Sequence, residues 1–145
     1  MTQLTDNIWI GDSSVSWRDV RAYKIDGVLN VAQDLRGVMG WPDIEYMQVG
    51  LIDGPGNPAA SYCAAVLALS VMIGRHKRTL VCCHTGSRSM AVAMMYLNIA
   101  ASHSWDGLLA LLRERVDADL PVPHVAHMDA FNNMDWRMLA SIQPL

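Results

Sequence analysis

The residues from position 80 to position 89 carry the strongest structural signal in the chain. They read Leu80-Val81-Cys82-Cys83-His84-Thr85-Gly86-Ser87-Arg88-Ser89. The apolar start predicts a short buried strand, and Gly86 predicts a tight turn into a helix that begins near Arg88. The N–H groups of such a turn, together with the helix N-terminus, can all point at one anion. This stretch therefore predicts an anion-binding loop at the carboxyl end of a strand.

Strands and helices alternate on both sides of this loop. Strands are predicted at 7–11, 28–31, 45–51 and 79–83, and helices at 16–24, 58–74, 88–101, 104–116 and 124–140. The alternation predicts an α/β fold, with a mainly parallel central sheet flanked by helices. Ligands of such sheets bind where strands end. The loops after residues 51 and 83 are therefore expected to meet at one site.

Composition narrows the functional classes. The chain has 145 residues, of which 52% are hydrophobic and 17% charged, as expected for one globular domain over 1–145. A net charge of −3 predicts no nucleic-acid partner. No secretory leader is expected, because residues 1–10 have no basic start followed by an apolar run. No membrane span is expected, because the most apolar stretch, 59–74, is short and contains Ser and Tyr. Three cysteines, two of them adjacent, indicate free thiols and a cytoplasmic location.

The residues of the loop suit attack on a phosphate ester. Arg88 offers a fork of donors that matches two phosphate oxygens. A cysteine at the base of the loop should be a thiolate near neutral pH, and the Ser89 hydroxyl can donate to it. The residues predicted to ring the anion are His84, Thr85, Gly86, Ser87 and Arg88. Asp53 follows the strand at 45–51 in a Gly- and Pro-containing loop, where it could act on a proton or simply cap a turn.

This stretch resembles the signature of the dual-specificity phosphatases, the sequence His-Cys-x-x-Gly-x-x-Arg-Ser. Segments 6–11, 27–32, 46–53 and 91–97 are similar to other strands and helices of that family. The resemblance implies the family's fold, a phosphorylated protein or small molecule as substrate, and hydrolysis through a cysteinyl-phosphate. It also implies that Asp53 is the general acid and that no metal or cofactor takes part.

Which cysteine attacks is left open by the sequence. Five residues separate Cys82 from Arg88, as in the family, whereas only four separate Cys83 from Arg88. Cys83, however, places Gly86 where the family has glycine, and Cys82 would place the β-branched Thr85 there. We therefore favour Cys83 as the nucleophile.

The short loop leaves other functions open. Rhodanese-type sulfurtransferases use a similar Cys-x-x-Gly-x-Arg-Ser string, so a sulfurtransferase with a persulfide on Cys83 is one alternative. The chain also resembles certain bacterial phosphatase-like domains, which combine the phosphatase fold with a loop of this shorter length. An inactive phosphate-binding module and an arsenate-reductase-like activity are the others. Arg36 could contact a substrate phosphate, but a solvated role is favoured. For His124 and His127, capping or solvent exposure is expected. The sequence does not identify the substrate or the oligomeric state.

Overall fold

The computed structural model describes residues 1–35, 43–100 and 103–134, and within these ranges it contains one five-stranded sheet. The strands are β1 (Thr2–Gln3), β2 (Ile8–Gly11), β3 (Gly27–Ala32), β4 (Glu45–Leu51) and β5 (Thr79–Cys82). Their order across the sheet is β1-β2-β5-β3-β4, which places β5 at the centre.

The sheet is mainly parallel, as the sequence predicts. Strand β5 pairs in parallel with β2 and β3, and β3 pairs in parallel with β4. The exception is β1, an antiparallel edge strand that pairs Thr2 with Ile10 and Gln3 with Trp9. A strand of two residues is too short to show a hydrophobic period, so the sequence does not predict it.

Five helices connect or follow the strands: α1 (Trp17–Ala22), α2 (Ala59–Arg75), α3 (Ser87–Leu97), α4 (Trp105–Arg115) and α5 (Val125–Asn133). Ser16 caps α1 in a capping box with Asp19, and Ser104 caps α4. The predicted end of α3 is wrong, because this helix stops at Leu97 and not at residue 101. Helix α5 is described over Val125–Asn133, and its predicted end at residue 140 lies outside the described residues.

The strands bury different residues on their two faces, because successive side chains of a strand point in opposite directions. One face packs Trp9, Val28 and Leu80 against α1 through Val20. The other face carries the larger core, which includes Leu29 and Val81 together with residues of α2, α3, α4 and α5. The predicted apolar helix is α2, and its buried residues are Tyr62, Ala65, Val66, Ala68, Leu69 and Met72. In the described parts of the chain, no helix has the length and apolarity to cross a bilayer.

The carboxyl ends of the parallel strands share one edge of the sheet. The N–H of Cys83 donates to the Gly11 carbonyl at the end of β2 (3.3 Å), and the N–H of Ser13 donates to the His84 carbonyl (3.0 Å). These bonds tie the segment after β5 to the neighbouring strand end. The first turn of α3 then continues directly from this segment at Gly86.

Alanine substitutions at Gly86 and Gly74 test the turn that leads from β5 into α3. Gly86 has φ = 87°, and a Cβ there would lie 2.8 Å from Cγ of Pro121, whereas Gly74 lies in α2 with open space around it. We expect Gly86→Ala to lower the free energy of unfolding by about 1–3 kcal/mol or more. Gly74→Ala should raise it by up to about 1 kcal/mol. Urea denaturation followed by circular dichroism measures both, and equal effects would contradict the strained turn.

Candidate active site

The Cys83 sulfur lies at the base of the loop that joins β5 to α3. We call residues 83–88 the Cys-Arg loop. The sulfur accepts hydrogen bonds from the N–H of Gly86 (3.1 Å) and the N–H of Ser89 (3.3 Å), and its residue is fully buried. The Ser89 hydroxyl lies 3.4 Å from the sulfur and also contacts the carbonyls of Gly86 and Gly11. The geometry thus surrounds one thiol with donors that stabilise a negative charge.

Gly86 allows the loop to close around this sulfur. Its left-handed φ of 87° turns the chain into α3, and it is the N-cap of that helix without any side-chain cap. The sequence argument for Cys83 assumes that the residue three positions after the nucleophile has a positive φ. Gly86, three positions after Cys83, has a positive φ, whereas Thr85, three positions after Cys82, does not.

The thiol of Cys82 has a different environment from that of Cys83. It points to the other face of the sheet, where it packs beside Trp9, Val28 and Leu80 in the α1-side core. Burial, together with a smaller contribution from the charge of the neighbouring Cys83, raises the pKa of the Cys82 thiol to about 12. Cys82 is therefore a protonated thiol at neutral pH.

Arg88 is a buried cation, with 2% of its surface exposed. One terminal nitrogen, Nη1, donates to the Leu51 carbonyl at the end of β4 (2.8 Å) and pairs with Oδ1 of Asp34 (2.7 Å). The Nε–H is buried and has no partner among the described residues. A buried donor without an acceptor is costly. The guanidinium is therefore equipped to take a further acceptor, such as the oxygen of an anion.

Asp34 is a member of the site that sequence reasoning missed, although it directly follows a buried strand. Its hydrogen bond to Arg88 holds the pKa of its carboxyl below the usual value. Arg36, two residues further along the chain, lies outside the described residues. The position of Asp34, at the carboxyl end of the strand beside β5, is the signal that could have found it.

Asp53 lies at the same edge, in the loop after β4. Its Oδ1 accepts from the Ser87 hydroxyl (2.8 Å) and contacts Nε2 of His127 (2.9 Å). Burial acts to raise the pKa of this carboxyl, but the hydrogen bonds from His127 and Ser87 and the charge of Arg88 outweigh it, so the pKa lies below its usual value. The Ser87 oxygen also accepts from the N–H of His124 (2.9 Å). The structure thus joins Asp53 to the Cys-Arg loop.

The expectation for His127 is wrong, since its side chain is neither exposed nor a cap. The residue is fully buried, and its Nδ1 lies 2.6 Å from the Tyr62 hydroxyl. Burial lowers the pKa of His127 despite the opposing effect of Asp53. His124 behaves as expected, because its ring accepts from the N–H of Ala126 at the start of α5.

The remaining predicted residues of the loop differ in their exposure. His84 and Thr85 are exposed, and Ser87 and Ser89 are buried in the first turn of α3. Over residues 1–35, 43–100 and 103–134, no three His, Cys, Asp or Glu side chains are grouped so that they could hold a metal ion.

Alkylation can check the assigned environment of Cys82. With a pKa of about 12, roughly one Cys82 in 10,000 is ionised at about pH 8. We expect Cys82 to stay unlabelled by iodoacetamide in the native protein and to react in urea, as judged by peptide mass spectrometry. Labelling of the native protein at the rate seen in urea would contradict this environment.

Comparison with known proteins identifies relatives of the chain. No family model matches the chain. Dual specificity protein phosphatase 14 of Mus musculus is 32% identical over 101 residues, which cover 67% of this chain and 50% of that protein. The chain thus spans about half the length of this curated relative.

Solved structures share the fold over nearly the whole chain. The crystal structure of DUSP15 superimposes with a TM-score of 0.79 at 15% identity, covering 99% of this chain and 92% of that one. Human DUSP28 gives a TM-score of 0.75 at 16% identity, covering 99% and 100%. Identities this low show the fold, and the mouse protein adds a relationship in sequence. The chain belongs to the dual-specificity phosphatase-like family.

Proposed function

We propose that the protein is a cysteine-dependent phosphatase that hydrolyses phosphate monoesters. The observation that carries the proposal is the shared position of two groups at the Cys-Arg loop. The Cys83 sulfur accepts from the N–H groups of Gly86 and Ser89, and the buried Nε–H of Arg88 has no partner among the described residues. The first group provides a stabilised nucleophile, and the second provides a vacant donor for a phosphate oxygen.

In the first step the Cys83 thiolate attacks phosphorus. The S–P bond forms while the bond from phosphorus to the ester oxygen breaks. Asp53 donates a proton to the departing alcohol or phenol, and the loop N–H groups and Arg88 hold the phosphoryl oxygens. His84, Thr85 and Ser87 contribute to the ring of residues around the phosphate.

In the second step water attacks the cysteinyl-phosphate. The carboxylate of Asp53 takes a proton from that water, the P–O bond forms, and the S–P bond breaks to release inorganic phosphate. The Ser89 hydroxyl lies 3.4 Å from the sulfur and donates to the Gly86 carbonyl, and it can turn its hydrogen to the thiolate as the sulfur leaves. The cycle is balanced by water alone and needs no metal or cofactor.

The substrate class follows from the same chemistry. We propose a phosphorylated protein or small molecule, with no nucleic-acid or membrane partner. The three cysteines are free. Because a thiolate nucleophile stays active only in a reducing environment, we propose that the protein is cytoplasmic.

Exchange of each adjacent cysteine for serine tests the proposal. We expect Cys83→Ser to reduce hydrolysis of p-nitrophenyl phosphate to the uncatalysed background, because serine is not ionised near neutral pH. Cys82→Ser should retain turnover, since its sulfur faces the other side of the sheet. The two variants are matched controls, as each removes one sulfur atom from the same strand end.

The same proteins should be assayed for sulfur transfer from thiosulfate to cyanide. We expect wild-type protein to hydrolyse the aryl phosphate and to transfer little sulfur. If Cys82→Ser is inactive while Cys83→Ser turns over, the nucleophile is misassigned. If only thiosulfate reacts, the protein is a sulfurtransferase of the rhodanese type.

The role of Asp53 predicts a dependence on the leaving group. A poor leaving group needs protonation, and a good one does not. We expect Asp53→Asn to lower kcat for an alkyl phosphate by about 10²- to 10⁴-fold and for p-nitrophenyl phosphate much less. Steady-state kinetics over a series of phosphate esters measures the difference, and equal slowing of all esters would remove Asp53 from this role.

A further inference from the structure

A chain of buried hydrogen bonds extends from the proposed site into the core. Oδ1 of Asp53 lies 2.9 Å from Nε2 of His127, and Nδ1 of the same ring lies 2.6 Å from the Tyr62 hydroxyl. Asn57 contacts that hydroxyl with its amide nitrogen at 3.4 Å. His127 is fully buried and Tyr62 is 3% exposed. Both ring nitrogens of His127 are occupied by protein partners, so the imidazole has no free polar atom for a substrate, and any effect of His127 on the reaction passes through Asp53.

The chemistry of the three groups fixes the hydrogen positions. An ionised Asp53 has no hydrogen, so Nε2 of His127 must donate to it. Nδ1 of the neutral ring is then an acceptor, and the Tyr62 hydroxyl is the donor that it contacts. Tyr62 thus selects the tautomer that presents an N–H to the carboxylate. Helices α2 and α5 supply these two residues, and both pack against α3.

We propose that His127 is a positioning residue that holds the Asp53 carboxyl against the Cys-Arg loop, and that Tyr62 keeps His127 in the tautomer that does so. The proposal rests on the proposed function, in which Asp53 exchanges a proton with substrate and water. His127 and Tyr62 both lie outside the Cys-Arg loop and outside the signature sequence of the family.

The geometry gives the two oxygens of Asp53 different tasks. Both donors, the Ser87 hydroxyl and Nε2 of His127, use Oδ1. Oδ2 is then the oxygen that exchanges a proton with the leaving group and later with water. Because Oδ1 can accept both bonds whether or not Oδ2 carries a proton, the carboxyl keeps one orientation through both steps.

The charges around the carboxyl set its pH dependence. Arg88 of α3 and the His127 N–H stabilise the anion. Tyr62 of α2 is a neutral phenol whose burial raises its pKa. His124, the N-cap of α5, faces His127 with ring centroids 5.9 Å apart. The hydrogen bond from His127 lowers the pKa of Asp53. Acid catalysis is lost as pH rises through this pKa. Removal of the N–H should therefore move the loss of acid catalysis to higher pH.

A double-mutant cycle tests whether His127 acts through Asp53. We expect His127→Phe to lower kcat for an alkyl phosphate on the order of 10- to 100-fold, and to lower kcat for p-nitrophenyl phosphate much less. In the Asp53→Asn background, His127→Phe should change kcat for the alkyl phosphate by less than about twofold. A purely structural role would instead slow both esters and would add to the effect of Asp53→Asn.

Conservative variants add a second readout. In the pH profile of kcat with the alkyl phosphate, the limb that falls at high pH should move upward in His127→Phe. His127→Gln keeps an N–H donor near the Nε2 position and should restore most of the rate and the wild-type limb. Tyr62→Phe, which removes only a hydroxyl, should shift the same limb in the same direction by a smaller amount. The matched control is His76→Phe, at the amino-terminal end of the strands, which should leave the profile unchanged.

The outcome separates this proposal from the proposed function. If wild-type protein and Asp53→Asn hydrolyse all esters equally, the proposed role of Asp53 is wrong. If Asp53→Asn slows the alkyl phosphate but His127→Phe adds its full effect on top, the positioning role is wrong. Should His127→Phe fail to fold, the Tyr62→Phe profile and the ¹⁵N shifts of His127 decide. A protonated Nδ1 in wild-type protein, or an unchanged limb in Tyr62→Phe, overturns the proposal.

Discussion

The burial of one positive charge organises the carboxyl edge of the sheet. A guanidinium removed from water needs acceptors, and Arg88 obtains them from two neighbouring chain segments: the Leu51 carbonyl that ends β4 and the Asp34 carboxylate that follows β3. Arg88 itself is placed by α3, which starts directly after the central strand β5. Three strand ends are thereby linked through one side chain. Loss of the buried bond to the Leu51 carbonyl would leave this charge less well paired.

Successive side chains of a strand point to opposite faces of the sheet, and this alternation explains how two adjacent cysteines acquire different chemistry. A shift of one residue along β5 carries a side chain from the α1-side core to the face covered by α2 and α3. On one face Cys82 packs against the α1-side core, where burial opposes its ionisation. On the other face Cys83 meets the N–H groups at the start of α3. The glycine that turns the chain, Gly86, is what brings those groups to the sulfur.

The sequence predicted the parts of the site that follow one another along the chain. The strand, the turn at Gly86 and the helix after it are local features with strong signals, and so is the position of Asp53 after β4. His127 was missed because it lies 74 residues from Asp53 along the chain, and their contact depends on how α5 packs against α3. A lone histidine on a short helix gives no pattern that distinguishes burial from exposure. The assignment of 1–145 as a single domain stays a prediction.

The two carboxylates beside Arg88 differ in how firmly they are held. The Asp34 side chain is 62% exposed, so its ion pair with Arg88 is screened by water and contributes little to stability. The bond from Nη1 to the Leu51 carbonyl is buried, and it is this bond that fixes the direction of the guanidinium. Asp53 is held by two donors on one oxygen, one of which belongs to the first turn of α3. An anion entering the Cys-Arg loop can therefore displace or weaken the Asp34 pair at small cost, while Arg88 and Asp53 keep the positions that the buried hydrogen bonds give them.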